Sequence, residues 1–248
     1  MNVLDALVPR GLIGRAVDLS QTPVSQEGLC PLRISWEGTN IMAIQGIPNS
    51  ESCPLKILIP RLLEPHSHID KSFTWSEWPN LVGTYEQALS KNLIEHKSRT
   101  IDLVRDRAER ALNLCLRNGI RAIRTHIDSF GLSAHQNWEA LIDLKAEWKS
   151  LIELQLVALV PLEYWGSREG KLLAHRISNV SGLLGGVLVP PFDDQKVHTY
   201  LSQMLKLAND LGCGIDIHID ESQSHPGVGI NQLIGALDQI KVSIPITC

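Results

Sequence analysis

The sequence predicts an α/β fold built mainly on a parallel β-sheet, and two observations support this. Short β-rich apolar runs begin near Ile57, Ile120, Ile152, Leu183, Gly214 and Val242. After the first interval they recur about every thirty residues, the length of one strand–helix unit, and helical periodicity fills the stretches between them. Repeated β–α units imply a parallel sheet, either doubly wound or closed as a barrel.

The composition limits the kind of protein. The chain has 248 residues, 44% apolar and 20% charged, which suits one large domain or one domain with a small appendage. The net charge is −4 and the basic residues form no cluster, which argues against nucleic acid or an anionic membrane as partner. No stretch approaches the length of a membrane span, and residues 1–20 lack a continuous apolar signal region.

Cysteine usage indicates the compartment. The cysteines are odd in number and form no CxxC pair; they are Cys30, Cys53, Cys115, Cys213 and Cys248. This pattern fits free thiols in a reducing environment better than a disulfide framework. We therefore expect a soluble protein of the cytoplasm.

The first part of the chain, residues 1–56, lacks helical periodicity. Residues 32–36 and 41–44 have the composition of short strands, and residues 37–40 between them are typical of a hairpin turn. This predicts a small β unit ahead of the main domain, which occupies residues 57–248.

The main domain is expected to begin with a buried strand at residues 57–63 that ends at Pro65. The interval to the next strand is about sixty residues, twice the usual unit. Its extra piece, residues 74–99, carries Trp75 and Trp78. A loop of this kind at the C-terminal end of a strand commonly covers the active site of a barrel. A surface insertion without function is the alternative.

Helices are predicted where apolar residues recur at helical spacing. The clearest runs through residues 100–118 and ends at Gly119. Residues 138–149 and 197–211 have the same pattern, and Gly212 ends the latter.

Two histidines follow the first strand of the main domain. His66 and His68 are two positions apart, so on an extended segment both point to one face, and Asp70 falls on that face as well. Two imidazoles so placed can bind one metal ion from a rigid backbone. The alternative is that they are ordinary polar residues at a strand end.

The second and fifth strands end in similar groups. The second ends in His126 and Asp128. The fifth is followed by Glu221 and places three polar residues on one face, Asp216, His218 and Asp220. Because the C-terminal ends of barrel strands meet at one mouth, we expect these groups to lie together.

These groups suit a hydrolytic metal site. His66, His68 and His218 offer three neutral nitrogens to one divalent ion and leave positions open for water. The metal lowers the pKa of that water, so hydroxide is available near neutral pH. Glu221 can carry protons between the water and a leaving amine, which favours hydrolysis of a C–N bond. For His218 alone, a hydrogen-bonded core histidine is the alternative.

Three motifs resemble the cytosine-deaminase branch of the metal-dependent amidohydrolases. Residues 65–71 match the family's Pro-His-x-His-(Leu/Ile)-Asp-Lys pattern on strand one. Residues 124–128 match Arg-Thr-His-(Val/Ile)-Asp on strand two, and residues 216–221 match Asp-(Val/Ile)-His-x-Asp-Glu on strand five. The resemblance covers roughly residues 30–248. It implies a TIM-type (β/α)8 barrel with a small β-sandwich formed from both chain ends.

The resemblance also implies roles for the matched residues. It makes His66, His68 and His218 ligands of a single zinc or iron ion, and it makes Glu221 the proton shuttle that activates water. His126 and Asp128 would orient the ligands without touching the metal. The residues expected around ligands and substrate are His126, Asp128, Asp70, Leu162 and Trp75.

The chain departs from the family at two positions near the substrate. Members with cytosine activity carry a glutamine after the proline that ends strand three, where it reads the pyrimidine edge. Here Pro161 is followed by Leu162, which cannot hydrogen-bond. Strand four of the family runs Pro-His-Phe, whereas Pro191 stands in place of that histidine. Losing such bonds should weaken or redirect specificity.

The chain also stops early relative to the family. Its last apolar run, residues 242–248, resembles strand six, which the family follows with a catalytic histidine and, near strand eight, an aspartate ligand. We therefore expect an incomplete barrel of about six strand–helix units with an N-terminal β-sandwich portion. We also expect little turnover from these residues alone, and a sheet edge that favours aggregation or pairing.

The sequence as a whole favours a metal-dependent hydrolytic deaminase of a nucleobase-like heterocycle. Two alternatives stay open: an amidohydrolase acting on a cyclic amide or triazine-type ring, and an inactive remnant that binds a partner protein. The expected partner is a small-molecule substrate, without nucleic acid or membrane. Homo-oligomer formation is left open.

Overall fold

The chain folds as two units, Met1–Arg61 and Leu62–Cys248, each with its own β-sheet. The sequence placed the division after residue 56. The structure is a computed structural model that describes four ranges: residues 1–48, 54–190, 193–221 and 224–248.

The first unit contains a three-stranded antiparallel sheet. Its strands are β1 (Asn2–Pro9), β2 (Leu29–Glu37) and β3 (Asn40–Gly46), in the order β1-β2-β3. The predicted hairpin between β2 and β3 is confirmed, and Gly38 in its turn has a φ of +57°, which glycine adopts without steric cost. Strand β1 was not predicted, although Ala6 and Val8, two positions apart, both lie on its buried face.

The second unit is built on six parallel strands. They are β4 (Leu62–Ser67), β5 (Ile120–Asp128), β6 (Glu153–Leu159), β7 (Leu183–Leu188), β8 (Ile215–Ile219) and β9 (Ile246–Thr247), paired in sequential order. Because the order never reverses, the sheet curls as part of a TIM-type barrel and does not form the doubly wound alternative. The predicted α/β class and six-strand partial barrel are confirmed, although β9 is shorter than the run that predicted it.

The first barrel strand differs from its prediction in position and burial. The buried strand predicted at residues 57–63 is wrong, because Ile57 pairs with Leu7 in the first unit and β4 begins only at Leu62. Leu62 and Leu63 are 51% and 65% exposed. Strand β4 lies at the edge of the sheet and pairs on one side only, with β5, so it is less covered than a central strand.

The described part of the second unit contains six α-helices. They are α1 (Tyr85–Glu95), α2 (Ile101–Arg117), α3 (Ala134–Trp148), α4 (Arg168–Asn179), α5 (Asp194–Leu211) and α6 (Val228–Gln239). The three predicted helices are confirmed as α2, α3 and α5. Helix α2 buries Val104, Ala108 and Leu112, which its apolar spacing predicts. Across the described residues, no helix is both long enough and apolar enough to cross a membrane.

The insertion between β4 and β5 contains helix α1 where a loop was predicted. The helix begins after Thr84, whose side-chain oxygen accepts a hydrogen bond from Gln87 N at 3.3 Å. This cap, together with Leu89 and Leu93 four positions apart, was the local signal for the helix.

The core of the second unit lies between the sheet and the helices. Trp138 of α3 and Ile127 of β5 are almost completely buried in it. Leu162, which follows β6, also belongs to this core. A Cβ on Gly186 of β7 would lie 2.5 Å from Leu162 Cδ2, so the glycine leaves the space that Leu162 fills.

Candidate metal centre and active site

Four histidines converge at the C-terminal ends of three strands. His66 lies in β4, His68 directly follows β4, His126 lies in β5 and His218 lies in β8. One ring nitrogen of each lies within 4.8 Å of a nitrogen of every other ring. The order of the sheet brings these strand ends together, so side chains far apart in sequence share one site.

The positions of the nitrogens fit a metal ion. Nε2 of His68 lies 3.4 Å from Nε2 of His218, and two nitrogens bound to one tetrahedral zinc are about 3.3 Å apart. Within the described structure, several buried ring nitrogens of the cluster have no hydrogen-bond partner; they are Nδ1 of His68, His126 and His218, and Nε2 of His126. Nδ1 of His68 and Nδ1 of His218 point away from the facing Nε2 pair, so the fit to a metal ion rests on the 3.4 Å approach of the Nε2 atoms and on the convergence of the four rings.

Burial lowers the pKa of three of the rings, His66, His68 and His218. It lowers the pKa of His68 to about 2, with a further contribution from the charge of Lys71. It lowers the pKa of His218 to about 4 and also lowers the pKa of His66. At neutral pH these rings therefore carry free lone pairs, the state that a metal ligand requires.

Asp216 lies between His126 and Arg124. Its Oδ1 is 3.2 Å from His126 Nε2, a contact not aligned for a hydrogen bond, and its Oδ2 accepts a hydrogen bond from Arg124 Nη1 at 2.6 Å. Burial would raise the pKa of Asp216, but the contacts with His126 and Arg124 hold it below its usual value. Asp216 is thus an ionised group placed to orient the His126 ring.

Asp70 leaves the face on which strand alternation had placed it beside the histidine pair. Strand β4 ends before it, and the chain enters a single 3-10 turn at Ile69–Lys71. The buried Asp70 carboxylate accepts a hydrogen bond from Asp128 N at 3.1 Å and lies 3.3 Å from Arg99 Nη1. Burial and the charge of Asp128 raise the pKa of Asp70 to about 6.

Asp128 joins both motifs to the insertion. Its Oδ1 accepts a hydrogen bond from Lys71 Nζ at 2.8 Å, and its Oδ2 accepts one from Asn92 Nδ2 at 3.1 Å and lies 3.0 Å from Arg99 Nη1. Burial would raise the pKa of Asp128, but the charges of Lys71 and Arg99 outweigh it and lower that pKa. The Asp128 carboxylate is therefore ionised, and both of its oxygens have hydrogen-bond or ion-pair partners.

A cavity of about 520 Å³ opens onto the cluster. Its polar lining includes His66, His68, His218 and Glu221. The insertion contributes aromatic side chains, Trp75, Trp78 and Tyr85. The tryptophan-bearing insertion thus forms part of the wall around the histidines.

The predicted site residues fall into two groups. Glu221 and Trp75 line the cavity, and Trp75 is 62% exposed. Among the described residues that line the cavity Leu162 is absent, since its side chain packs against Gly186 in the core. Pro191 lies outside the described residues.

Asp220 was expected to share the face of His218, and it does not. Strand β8 ends one residue earlier, and Asp220 adopts a φ of +54°. Its carboxylate accepts hydrogen bonds from Gly229 N at 2.7 Å and Ile230 N at 3.0 Å. It therefore satisfies N–H groups in the first turn of α6 and holds the turn that carries Glu221.

Arg99, whose side chain is fully buried beside Asp70 and Asp128, was not among the site residues predicted from the sequence. Its one local signal was the spacing of four residues from Glu95, with which it forms an ion pair. The contacts with the two aspartates join strand ends to the insertion, and no local pattern predicts them.

No protein-family model matches the chain. It is 29% identical over 182 residues to a pterin deaminase of Rhizobium rhizogenes (strain K84 / ATCC BAA-868), a match covering 72% of this chain and 40% of the relative. It is 25% identical over 186 residues to the N-isopropylammelide isopropyl amidohydrolase of Pseudomonas sp. (strain ADP), covering 71% and 45%. The chain thus spans less than half the length of these two curated relatives.

The fold is similar to that of a 5-methylcytosine deaminase from Klebsiella pneumoniae. The TM-score is 0.68 with 24% identity, covering 83% of this chain and 52% of that protein. At this identity the likeness concerns the fold, which is the partial barrel described above. The chain is thus similar in sequence to a deaminase and an amidohydrolase over about seven tenths of its length, and similar in fold to a further deaminase.

Proposed function

We propose that the protein is a metal-dependent hydrolytic deaminase of a nucleobase-like nitrogen heterocycle. The observation that carries this proposal is the convergence of four histidines and Glu221 on one cavity with aromatic side chains in its wall. A planar heterocycle can stack on such a wall while its amino-bearing carbon faces the histidines. The names of two relatives, a pterin deaminase and a 5-methylcytosine deaminase, support a substrate of this class.

In this proposal His66, His68 and His218 hold one divalent ion, zinc or iron, since neutral imidazole suits both. His126, whose ring stacks on His66 at 4.2 Å between centroids, orients the ligand rings. The Asp216 carboxylate, whose Oδ1 lies 3.2 Å from His126 Nε2, attracts that ring electrostatically and favours its orientation. Asp128 acts from further away, through its contacts with the motif that carries the first two ligands.

Glu221 moves the proton. When bound, the metal lowers the pKa of a water molecule toward neutrality. The Glu221 carboxylate would accept a proton from the attacking water as its oxygen bonds to the ring carbon, and would give that proton to the nitrogen as the C–N bond breaks. Of the lining carboxylates, Glu95 and Asp128 are engaged in ion pairs, whereas no ion pair of the described residues involves Glu221. This leaves Glu221 as the carboxylate available for proton transfer.

A second candidate is hydrolysis of a C–N bond on a cyclic amide or triazine-type ring. It is favoured by the similarity to an N-isopropylammelide isopropyl amidohydrolase and by the position of Leu162. Because Leu162 packs in the core, the side chain with which the family reads the cytosine edge has no counterpart there.

We infer a reducing, cytoplasmic compartment and a small-molecule partner. Four cysteines are free thiols, Cys30, Cys115, Cys213 and Cys248, and Cys53 lies outside the described residues. Net charge of −4 supports the expectation that neither nucleic acid nor an anionic membrane is bound.

Metal analysis of the purified protein tests the proposal. We expect about one zinc or iron ion per chain, and at least about tenfold less in His218→Ala. His175→Ala, at an exposed position on α4, is the matched control and should retain the metal. A folded protein that binds no metal would contradict the proposal.

Product analysis separates the two candidates. Ammonia released from pterin or 5-methylcytosine supports the deaminase. Isopropylamine released from N-isopropylammelide, without ammonia from the other two compounds, supports the second candidate.

A further inference from the structure

The backbone pairing between β5 and β4, the strand that carries His66, is irregular. The register of β4 against β5 shifts between Leu62 and Leu63 and again between Glu64 and Ser67, so the regular ladder is interrupted where the histidine pair begins. Backbone hydrogen bonds therefore do not by themselves determine where His66 and His68 lie relative to β5.

Side chains tie the two strand ends together in place of the ladder. Ser67 Oγ donates a hydrogen bond to Arg124 O at 2.8 Å, and Thr125 Oγ1 accepts one from Ile69 N at 3.1 Å. The Asp70 carboxylate adds a third link through the 3.1 Å hydrogen bond from Asp128 N. Asp70 lies two residues after His68 and Asp128 lies two residues after His126, so this link sets the distance between two histidines of the cluster.

Arg99 is at the centre of these links. Its fully buried guanidinium lies 3.3 Å from Asp70 Oδ2 and 3.0 Å from Asp128 Oδ2 through Nη1. On its other side it donates to Asn92 Oδ1 at 2.8 Å and to Glu95 Oε2 at 2.7 Å, both on α1. A planar fork with five donors can satisfy several acceptors at once, which the ammonium of lysine cannot reproduce.

The same contacts attach the cavity wall to the strand ends. Asn92, which accepts from Arg99, also donates to Asp128 Oδ2 at 3.1 Å. Helix α1, which supplies Tyr85 and Ala88 to the cavity lining, is thereby bonded to Asp128, two residues after His126.

Charge makes Arg99 necessary for this arrangement. The Asp70 carboxylate is fully buried, the Asp128 carboxylate is 12% exposed, and an oxygen of each lies within 3.3 Å of the same nitrogen, Arg99 Nη1. Without the guanidinium between them, repulsion and the cost of burying unpaired charge would push the two strand ends apart.

We propose that Arg99 is a positioning residue for the metal centre. It holds the ends of β4 and β5, and with them His68 and His126, at the separation that metal binding requires. It also joins helix α1 to these two strand ends. This inference rests on the proposed function, because it concerns the same metal. Arg99 touches neither the histidine nitrogens nor the cavity.

Arg107 provides a matched control. It is also buried and also pairs with the Glu95 carboxylate. Across the described residues, no hydrogen bond or ion pair joins it to Asp70 or Asp128. In each methionine variant, Arg99→Met or Arg107→Met, the Glu95 carboxylate therefore loses one of its ion pairs. Only Arg99→Met also removes the link between the ends of β4 and β5.

Zinc titration of the full chain distinguishes positioning from general stability. We expect Arg99→Met to weaken zinc binding about 10–100-fold, and Arg107→Met to weaken it less than about threefold at a similar loss of stability to urea. Arg99→Lys should recover part of the stability and little of the zinc affinity. Wild-type zinc affinity in Arg99→Met would overturn the proposal, as would equal losses in the two methionine variants.

The 15N chemical shifts of the histidine rings in the metal-free protein test the positioning role of Arg99 independently of zinc binding. We expect the 15N shifts of His68 and His126 to move in Arg99→Met and to stay at wild-type values in Arg107→Met. Unchanged shifts in Arg99→Met would overturn the proposal. If wild-type protein binds no zinc, the proposed function fails, and these shifts still decide the role of Arg99.

Asn92→Ala covers the case in which Arg99→Met does not fold. It removes one bond to Arg99 and one to Asp128 while leaving every charge in place. We expect a loss of zinc affinity of about threefold to tenfold with the fold intact. Unchanged zinc affinity and unchanged histidine shifts in this variant would overturn the proposal.

Discussion

His68 and His126 belong to one cluster but differ in their surroundings. His68 meets His218 nitrogen to nitrogen at 3.4 Å, whereas the fully buried His126 contacts the ionised Asp216 at 3.2 Å. A ring that faces another neutral ring suits a shared metal ion, and a ring beside a carboxylate suits an orienting role. These environments support our proposal that His68 binds the metal and that His126 orients the ligand rings.

We expect His68→Gln to weaken zinc binding about 100-fold or more, because it removes a ligand. His126→Gln should weaken it about 10-fold, the usual result of changing a group that orients ligands. Calorimetric titration of metal-free protein with zinc measures both constants. Equal losses in the two variants would show instead that His126 binds the metal directly.

Neutral buried histidines also make the metal-free protein sensitive to acid. The pKa of His218 falls from 6.5 to about 4 on folding, mainly through burial. Between these values the unfolded chain binds a proton that the folded chain does not, so the free energy of unfolding decreases as the pH falls. From pH 7 to pH 5 we expect His218 to account for a loss of about 1–2 kcal/mol.

Urea denaturation at pH 7 and pH 5, with a chelator present, measures this loss. His218→Gln should lose about 1–2 kcal/mol less than the wild type over the same interval. His175→Gln, on the exposed side of α4, should follow the wild type. If the wild type and His218→Gln respond equally to acid, His218 is not the cause.

At the scale of elements, the turn after β8 is built around Asp220. Its left-handed backbone ends the strand, and its carboxylate accepts hydrogen bonds from the first turn of α6. Gly229 allows this approach, because a Cβ there would lie 2.7 Å from Asp220 Oδ1. The turn therefore joins β8, which carries His218, to the segment that carries Glu221.

We expect Asp220→Ala to lower the free energy of unfolding by about 2–3 kcal/mol, because it removes the cap and leaves a Cβ-bearing residue without side-chain bonds at positive φ. Asp220→Asn should cost about 1 kcal/mol, since asparagine tolerates this conformation and keeps an acceptor. Asp193→Ala is the matched control: Asp193 caps α5 at an ordinary φ of −98°, so about 1 kcal/mol is expected. Urea denaturation measures all three, and equal losses in the two alanine variants would contradict the contribution of backbone strain.

At the scale of the whole molecule, the sheet of the second unit has an open edge at β4. Its Leu62 and Leu63 are 51% and 65% exposed, and β5 is its only partner in the described sheet. Unpaired strand edges with exposed apolar side chains favour pairing with another chain.

We expect these 248 residues to self-associate in a concentration-dependent way, with strand β4 at the contact. Leu63→Lys should shift the association to at least about tenfold higher concentration, because a charge on an edge strand opposes pairing. Leu172→Lys, 63% exposed on α4, should leave it unchanged. Sedimentation velocity measures this; a monomeric wild type, or equal effects of both substitutions, would contradict the prediction.

Much of the second unit follows from short-range pattern. Apolar runs that recur about every thirty residues predicted the number of strands, and the glycines at positions 119 and 212 predicted where two helices end. Strand β1 and helix α1 were missed because their signals are short, a few alternating residues in one and a threonine cap in the other. The predicted strand at residues 57–63 was wrong because an apolar run does not reveal which sheet it joins.

The sequence by itself determined the fold class and the candidate ligands His66, His68 and His218, because alternation and spacing act over a few residues. Only the tertiary structure decided what each neighbouring polar residue does. The Asp70 side chain forms a buried ion pair with Arg99, because the strand ends before Asp70 and the backbone there is a 3-10 turn. Leu162 packed into the core. These outcomes depend on where each strand stops and on contacts between residues far apart in sequence, which no local pattern contains.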